Sequence, residues 1–291
     1  MGMHTVVREK EPQAQRKLSS VLVPVLLVLA GLCVLLYPVV ATQWNNIRQT
    51  KVAEAYSQYE QTVPAEVINK ELEDAISYND HRGESAVTDP WSGTQDERSA
   101  GFQEYKKQLD SYDAMGRVVI PSAQVNLPIY HGTSHEVLQK GVGHLYGTDL
   151  PVGGVGKHAV MTGHTGLQNA TLFDNLAKAV VGDAIYIQSA GQKMKYKVYR
   201  IDTVLPTEVE SLKRVDGQDL ITLITCTPYG INSHRLLVHA ERVPMDPSDE
   251  KFFEESGFHW QWWMWAIVIG SAIVLLLLVL WIRKMLRRNK Q

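Results

Sequence analysis

Two long uncharged segments constrain this chain more than any average over its 291 residues. Val21 to Ala41 and Trp262 to Ile282 each run 21 residues without a charged side chain. At about 1.5 Å of rise per residue, a helix of ~20 residues crosses the ~30 Å hydrocarbon core of a bilayer. The second segment carries Trp260, Trp262, Trp263 and Trp265 at one end and Trp281 at the other. Indole rings favour membrane interfaces, so both ends have an interfacial anchor. A core helix of a soluble protein seldom runs this long without charge. The first segment follows a basic stretch (Arg8, Lys10, Arg16, Lys17) and ends in Val39-Val40-Ala41, as a signal peptide would. Its apolar run exceeds the ~7–15 residues of a signal h-region, which favours an uncleaved anchor over a signal peptide.

Charge supplies the topology. The net charge of −2 hides a tail of +2 before the first segment and one of +5 after the second (Arg283, Lys284, Arg287, Arg288, Lys290), leaving −9 for residues 42–261. Positive flanks stay in the cytoplasm, so both termini are expected inside and the middle outside. A domain at −9 lacks the basic face that nucleic acid requires, so no nucleic-acid partner is expected. Two cysteines are too few for a disulfide scaffold. Cys33 falls in the first apolar segment, which leaves Cys226 as the sole thiol of the outer region. A lone exported cysteine reads as an intermolecular partner, a reactive thiol, or a buried small hydrophobe.

The outer region changes texture along its length. Residues 45–78 carry helical periodicity interrupted by Pro64, and 81–100 form a polar, aperiodic stretch with Gly83, Pro90 and Gly93. Loops this long without structure of their own are uncommon and often functional. From Gly116 onward, short β-branched runs alternate with turn residues: 117–120, 125–130, 157–161, 184–188, 193–205, 220–225 and 235–242. That spacing predicts a mostly β barrel or sandwich. Short helices are expected at Ser134–Gln139 and Ala170–Ala177, the second with Thr171 and Asp174 placed to cap its start. The chain therefore divides into a tail (1–20), a membrane helix (21–41), N-terminal helices with the long loop (42–115), a β domain (116–245), a linker (246–261), a second membrane helix (262–282) and a basic tail (283–291).

Cys226 ends the apolar run Leu-Ile-Thr-Leu-Ile-Thr, and Arg235 opens the next one. If the two runs pair as antiparallel strands, Arg235 lies beside Cys226. A fixed positive charge there favours the thiolate and can hold a developing oxyanion. Nucleophilic catalysis also needs a proton-handling partner. Of ten histidines, His164 stands in Thr162-Gly163-His164-Thr165-Gly166, after a strand and between glycines. His158, His164, His234 and His239 lack any recognised zinc spacing, so no metal and no cofactor is expected.

These residues carry a resemblance. Thr222-Leu223-Ile224-Thr225-Cys226 with Arg235 downstream and His164 upstream is similar to the sortase pattern T-L-x-T-C with a following arginine. The strings G-V-G-H-L-Y-G-T-D-L-P-V-G-G and T-C-T-P-Y-G-I-N-S-H-R-L-L-V resemble class C, the pilus-assembling sortases of Gram-positive bacteria. The likeness covers roughly residues 45–285, with no departure at the catalytic positions. It implies a closed eight-stranded sortase-type β-barrel with N-terminal helices and flanking transmembrane helices. It further implies Cys226 as nucleophile, His164 as general acid/base, and Arg235 as the substrate- and oxyanion-stabilising residue. The substrate it implies is an L-P-x-T-G-like sorting signal cut between Thr and Gly. The partners would be pilin subunits that offer such signals and an acceptor lysine, with membrane lipid around the anchors. Class C enzymes also carry a lid with an Asp-Pro-aromatic motif, which Asp89-Pro90-Trp91 matches. In that role Asp89 would pair with Arg235 and Trp91 would pack over Cys226. Two other readings stand beside this one: a sortase that attaches proteins to cell-wall peptidoglycan, and a non-catalytic, membrane-anchored binding module.

Overall fold

The computed structural model describes residues 13–83, 87–93, 95–254 and 260–288. His4, His259, the basic residues Arg8, Lys10 and Lys290, and parts of the 81–100 loop and the 246–261 linker lie outside the described residues. In chain order come α1 (Gln13–Thr62), α2 (Ala65–His81), α3 (Ala100–Lys106), β1 (Gly116–Ile120), β2 (Val125–His131), α4 (His135–Lys140), β3 (Val142–His144), β4 (Lys157–Thr162), β5 (Ala184–Ser189), β6 (Gln192–Val204), β7 (Asp219–Thr227), β8 (His234–Val243), α5 (Lys251–Glu254) and α6 (Trp262–Arg288).

The chain forms two units, Met1–Ala41 with Trp260–Gln291, and Thr42–His259. In the first, the α1 and α6 segments are long and apolar enough to cross a membrane. They leave large apolar side chains such as Leu27, Val34, Leu276 and Leu277 exposed, which suits a lipid surround. Pro24 and Pro38 sit inside α1 without ending it, as membrane helices tolerate. Pro64 instead separates α1 from α2, since it can begin a helix but cannot continue one.

In the second unit the strands close into a barrel in the order β1-β2-β3-β4-β7-β8-β6-β5. Most pairs are antiparallel, but β2–β3 and β4–β7 are parallel. Alternate side chains fill the interior: Val118 and Ile120, Ile221 and Leu223, Leu236, Val238 and Ala240, as the period-2 geometry of strands requires. β7 is buried on both faces. Ile224 points away from that interior and joins Leu145, Val160, Leu212 and Leu237 in a second cluster, against which Val87 and Trp91 pack. A strand covered on both sides reads as a continuous apolar run, which is how 220–225 reads.

Three elements depart from the sequence reading. Strand β3 is only three residues long and contains a glycine, too short for any periodicity to register. Helix α3 begins at the end of the polar loop, with Ser99 Oγ accepting from the Phe102 amide as its cap. The helix expected at Ala170–Ala177 does not form, and only a 3-10 turn at Leu176–Lys178 is present. Leu172 adopts φ of +40°, a left-handed conformation that interrupts a helix. Thr171 and Asp174 do not cap the segment: their side chains bind α1 and the Thr165–Gly166 segment instead.

Candidate active site

The site is built from the ends of three strands. Cys226 is the next-to-last residue of β7 and Arg235 the second of β8, and the antiparallel register sets them opposite one another. On the other side of β7 lies β4, parallel to it, with Thr162 level with Ile224. Two further bonds extend the alignment beyond β4: the Gly163 amide donates to the Ile224 carbonyl at 3.1 Å, and Thr225 Oγ1 donates to the Gly163 carbonyl at 2.8 Å. His164 therefore stands at the same level as Cys226, with Arg235 on the opposite flank.

The Asp89-Pro90-Trp91 segment engages two of these three residues, Arg235 and His164. Both Asp89 carboxylate oxygens accept from Arg235, from Nε at 2.6 Å and Nη2 at 2.9 Å. The side chains of both residues are 11% exposed, and bidentate pairing of this kind is the strongest geometry available to arginine. Arg235 Nη1 donates to the carbonyls of Asn232 and His234. The Trp91 ring lies 4.8 Å from the guanidinium carbon, a cation–π arrangement. Trp91, expected over Cys226, makes its polar contact with His164, its Nε1–H donating to Nδ1 at 3.3 Å. The segment is held from behind by Thr133, whose hydroxyl donates to the Pro90 carbonyl at 3.1 Å.

Because an indole N–H can only donate, His164 Nδ1 must present its lone pair and the ring proton sits on Nε2. That nitrogen is buried and has no hydrogen-bond partner among the described residues. Burial, reinforced by the neighbouring His135, holds the His164 pKa below the ordinary imidazole value. The Cys226 thiol is pushed up, first by burial and then by Asp89, with Arg235 acting in the opposite direction. Sequence reasoning expected the arginine to favour the thiolate. Its charge does act that way, but burial outweighs it. Arg235 is held above its usual range: burial opposes its charge, and the hydrogen bonds to Asp89 overcome that effect. Both shifts favour the uncharged forms of the thiol and the imidazole.

The other histidines are placed elsewhere. His158 and His239 end a buried chain through Thr222, with contacts of 2.7 and 2.8 Å, and His234 meets Ser233 at 2.8 Å. His135 is a neighbour that sequence reasoning missed. It opens α4, and its ring centroid lies 6.3 Å from that of His164. Only the fold brings these two together.

Comparison with known proteins agrees with this fold. Residues 118–243 match the sortase domain family. Sortase A of Streptococcus agalactiae is 31% identical over 130 residues, 44% of this chain and 52% of that protein. Sortase A of Bacillus anthracis is 31% identical over 135 residues, 46% of this chain and 62% of that protein. The matched region thus spans about half to two thirds of these curated relatives. Among solved structures, sortase C-1 from Actinomyces oris is 53% identical, with a TM-score of 0.61 over 62% of this chain and 99% of that one. Sortase A from Corynebacterium diphtheriae is 45% identical, with a TM-score of 0.63 over 72% and 100%. Streptococcus pneumoniae sortase C, at 36% identity, covers 67% and 97% with a TM-score of 0.62. This chain belongs to the sortase family. Within it, the structural neighbours include class C enzymes from Actinomyces and from two streptococci.

Proposed function

We propose that this chain is a membrane-anchored cysteine transpeptidase that polymerises pilins, with both termini cytoplasmic and the barrel outside. The observation that carries the reading is the alignment of Cys226 between His164 and Arg235, covered by an Asp-Pro-Trp segment that engages the arginine and the histidine. In the reaction, His164 takes the proton of the Cys226 thiol, and the thiolate attacks the Thr carbonyl of an L-P-x-T-G-like signal. The Arg235 guanidinium, a donor that stays charged, holds the oxyanion of the tetrahedral intermediate. His164 delivers a proton to the departing glycine amine, and the Cys–Thr thioester remains. A lysine amine of another pilin then attacks the thioester, His164 takes up its proton, and an isopeptide bond forms as the thiol is released.

The 89–91 segment acts as a lid. Asp89 fills the guanidinium fork, and Val87 and Trp91 cover the apolar patch of Leu145, Val160, Leu212, Ile224 and Leu237. A signal with leucine and proline ahead of its threonine presents similar apolar surface to the same place. Opening the lid returns Arg235 to the thiol and removes the burial that keeps Cys226 protonated.

Attachment to cell-wall peptidoglycan is the second reading, favoured by the 31% identity to sortase A proteins. The two differ in the acceptor. Incubation of the full chain with candidate pilins and with wall-peptide amines, followed by mass spectrometry of the joined products, separates them. The proposal expects a Thr–Lys isopeptide and high-molecular-weight ladders that vanish in Cys226→Ala. Products joined only to wall-peptide amines would overturn pilin polymerisation, and ladders that persist in Cys226→Ala would overturn the nucleophile.

A further inference from the structure

The segment that bears His164 leaves the barrel at Thr162, yet a general acid/base must be held to within a fraction of an ångström. Two contiguous sets of contacts show how. The first grips both sides of the histidine. The Phe173 amide donates to the His164 carbonyl at 3.0 Å. Asp174 Oδ1 accepts from the Gly166 amide at 2.7 Å and from Thr165 Oγ1 at 3.1 Å. The Phe173 ring lies under Gly163, where an added Cβ would come within 2.8 Å of it. The second set ties the adjoining residues to α1. Thr42 Oγ1 donates to the Gln168 carbonyl at 3.3 Å and Asn45 Nδ2 to the Asn169 carbonyl at 2.8 Å. Asn46 makes a reciprocal pair with Thr171: its Nδ2 donates to Thr171 Oγ1 at 2.8 Å, and its Oδ1 accepts the Thr171 amide at 3.0 Å.

Leu172 lies between the two sets. It is buried and holds φ of +40°, a conformation a branched side chain keeps only when the structure on both sides imposes it. Thr42, Asn45, Asn46 and Gln49 fall at i, i+3, i+4 and i+7, one face of α1. The face continues with Ala53, Tyr56 and Ser57, all buried. Its first two turns are polar, and three of the four polar residues bind residues 168–171.

We propose that Asn46 is a positioning residue: with Thr171 and Asp174 it forms a clamp, running from α1 just past the end of its apolar run, that fixes His164 for proton transfer. The clamp rests on the reading of His164 as general acid/base. It makes the helix after the first apolar segment a working part of the site, four residues beyond Thr42 in a chain where the barrel strands begin at Gly116.

The test uses the full chain in detergent, with a sorting-signal peptide as the probe. Asn46→Ala is expected to lower kcat for acylation about tenfold with KM unchanged, because a small misplacement of a catalytic group acts on the reacting step. Asn46→Asp, whose carboxylate can accept from both the Thr171 amide and hydroxyl, is expected to restore most of the rate. Thr171→Val, close in shape and lacking one of the two bonds, should fall between. The Asn46→Ala/Asp174→Ala double variant should be no slower than Asp174→Ala, since the two residues act in series. Multiplying losses, or a change confined to KM, would overturn the proposal. Amide hydrogen exchange gives a readout that needs no turnover: the Phe173 and Gly166 amides should exchange at least about tenfold faster in Asn46→Ala. If the parent chain acylates no peptide, the sortase reading fails on its own, and the exchange data still decide the clamp: unchanged protection overturns it.

Discussion

Two aspartate–arginine pairings in this barrel use the same chemistry to opposite ends. Asp149 is fully buried and accepts from Arg82 Nε at 2.9 Å, Arg214 Nε at 2.8 Å, a second Arg214 nitrogen, and the His158 amide at 2.8 Å. Burial raises its pKa, and the hydrogen bonds from Arg214 and Arg82 more than reverse that, so it stays an anion. Its arginine partners come from the end of α2 and from the β6–β7 connection, so one carboxylate ties these two distant stretches to the barrel wall at β4. Asp89 has one ion-pair partner, Arg235, and retains some exposure on a loop. The first pairing cannot open without exposing several charged groups to a dry interior. On the proposed lid reading the second can, because Arg235 would meet a substrate carbonyl in the carboxylate's place. Number of partners and depth of burial, rather than residue type, separate a structural ion pair from a reversible cover.

The largest expected effect lies at the first pairing. Asp149→Ala strands two partly buried arginines and an amide, and removal of one partner from a buried ion pair costs about 3–5 kcal/mol. Thermal unfolding of the full chain should fall by about 10 °C or more. A shift of only ~2 °C would erase the distinction between the two pairings.

Acid should act on the same buried side. His144 donates to the Asp149 carbonyl through Nε2 at 2.6 Å and accepts from Tyr105 at 2.9 Å. Burial lowers its pKa to about 3, and burial with Arg200 nearby lowers that of His239 to about 4. Both folded values lie below the unfolded value of ~6.5, so the unfolded chain binds more protons in acid. The stability these groups contribute is complete above pH ~6.5 and is lost as pH falls toward 4. Unfolding midpoints measured across that range should decline, and His144→Gln should flatten the decline.

At the second pairing, Asp89→Ala should leave the unfolding temperature within ~2 °C of the parent, as for a partly exposed pair. It should raise the rate of Cys226 alkylation about tenfold. The pH midpoint of alkylation should move down, because a group that raises the thiol pKa is gone and Arg235 is unopposed. Equal alkylation rates would mean that the segment does not cover the thiol. The smallest effect is expected from Trp91→Phe, which keeps a ring over Arg235 but loses the N–H to His164. Alkylation should change less than about threefold. The His164 pKa, read by NMR, should rise, because the bond that is lost favours the neutral ring.

Much of the site was legible because it follows from strand pairing. Two apolar runs separated by eight residues predict that Cys226 and Arg235 become neighbours, and the observed register makes them so. The mostly β domain and the two apolar helices were likewise written in periodicity and length, whereas closure of the barrel was implied by the family resemblance. What stayed hidden depends on contacts between residues far apart in the chain. Asp149 meets Arg82 and Arg214 across 67 and 65 residues, and Asn46 meets Thr171 across 125. No local pattern marks such partners. Thr171 and Asp174 show the converse error, since side chains suited to cap a helix are equally suited to bind across the fold, and here the tertiary partners won.

The central claim is that Cys226 forms a thioester with a sorting signal, and intact-mass analysis of the full chain tests it most directly. After brief exposure to an L-P-x-T-G peptide and an acid quench, the account predicts an adduct with the mass of the fragment ending in threonine, located on Cys226 and released by hydroxylamine. Asp89→Ala should accumulate it faster, and Cys226→Ala should form none. No adduct in the parent or in Asp89→Ala, or an adduct that survives Cys226→Ala, would contradict the account.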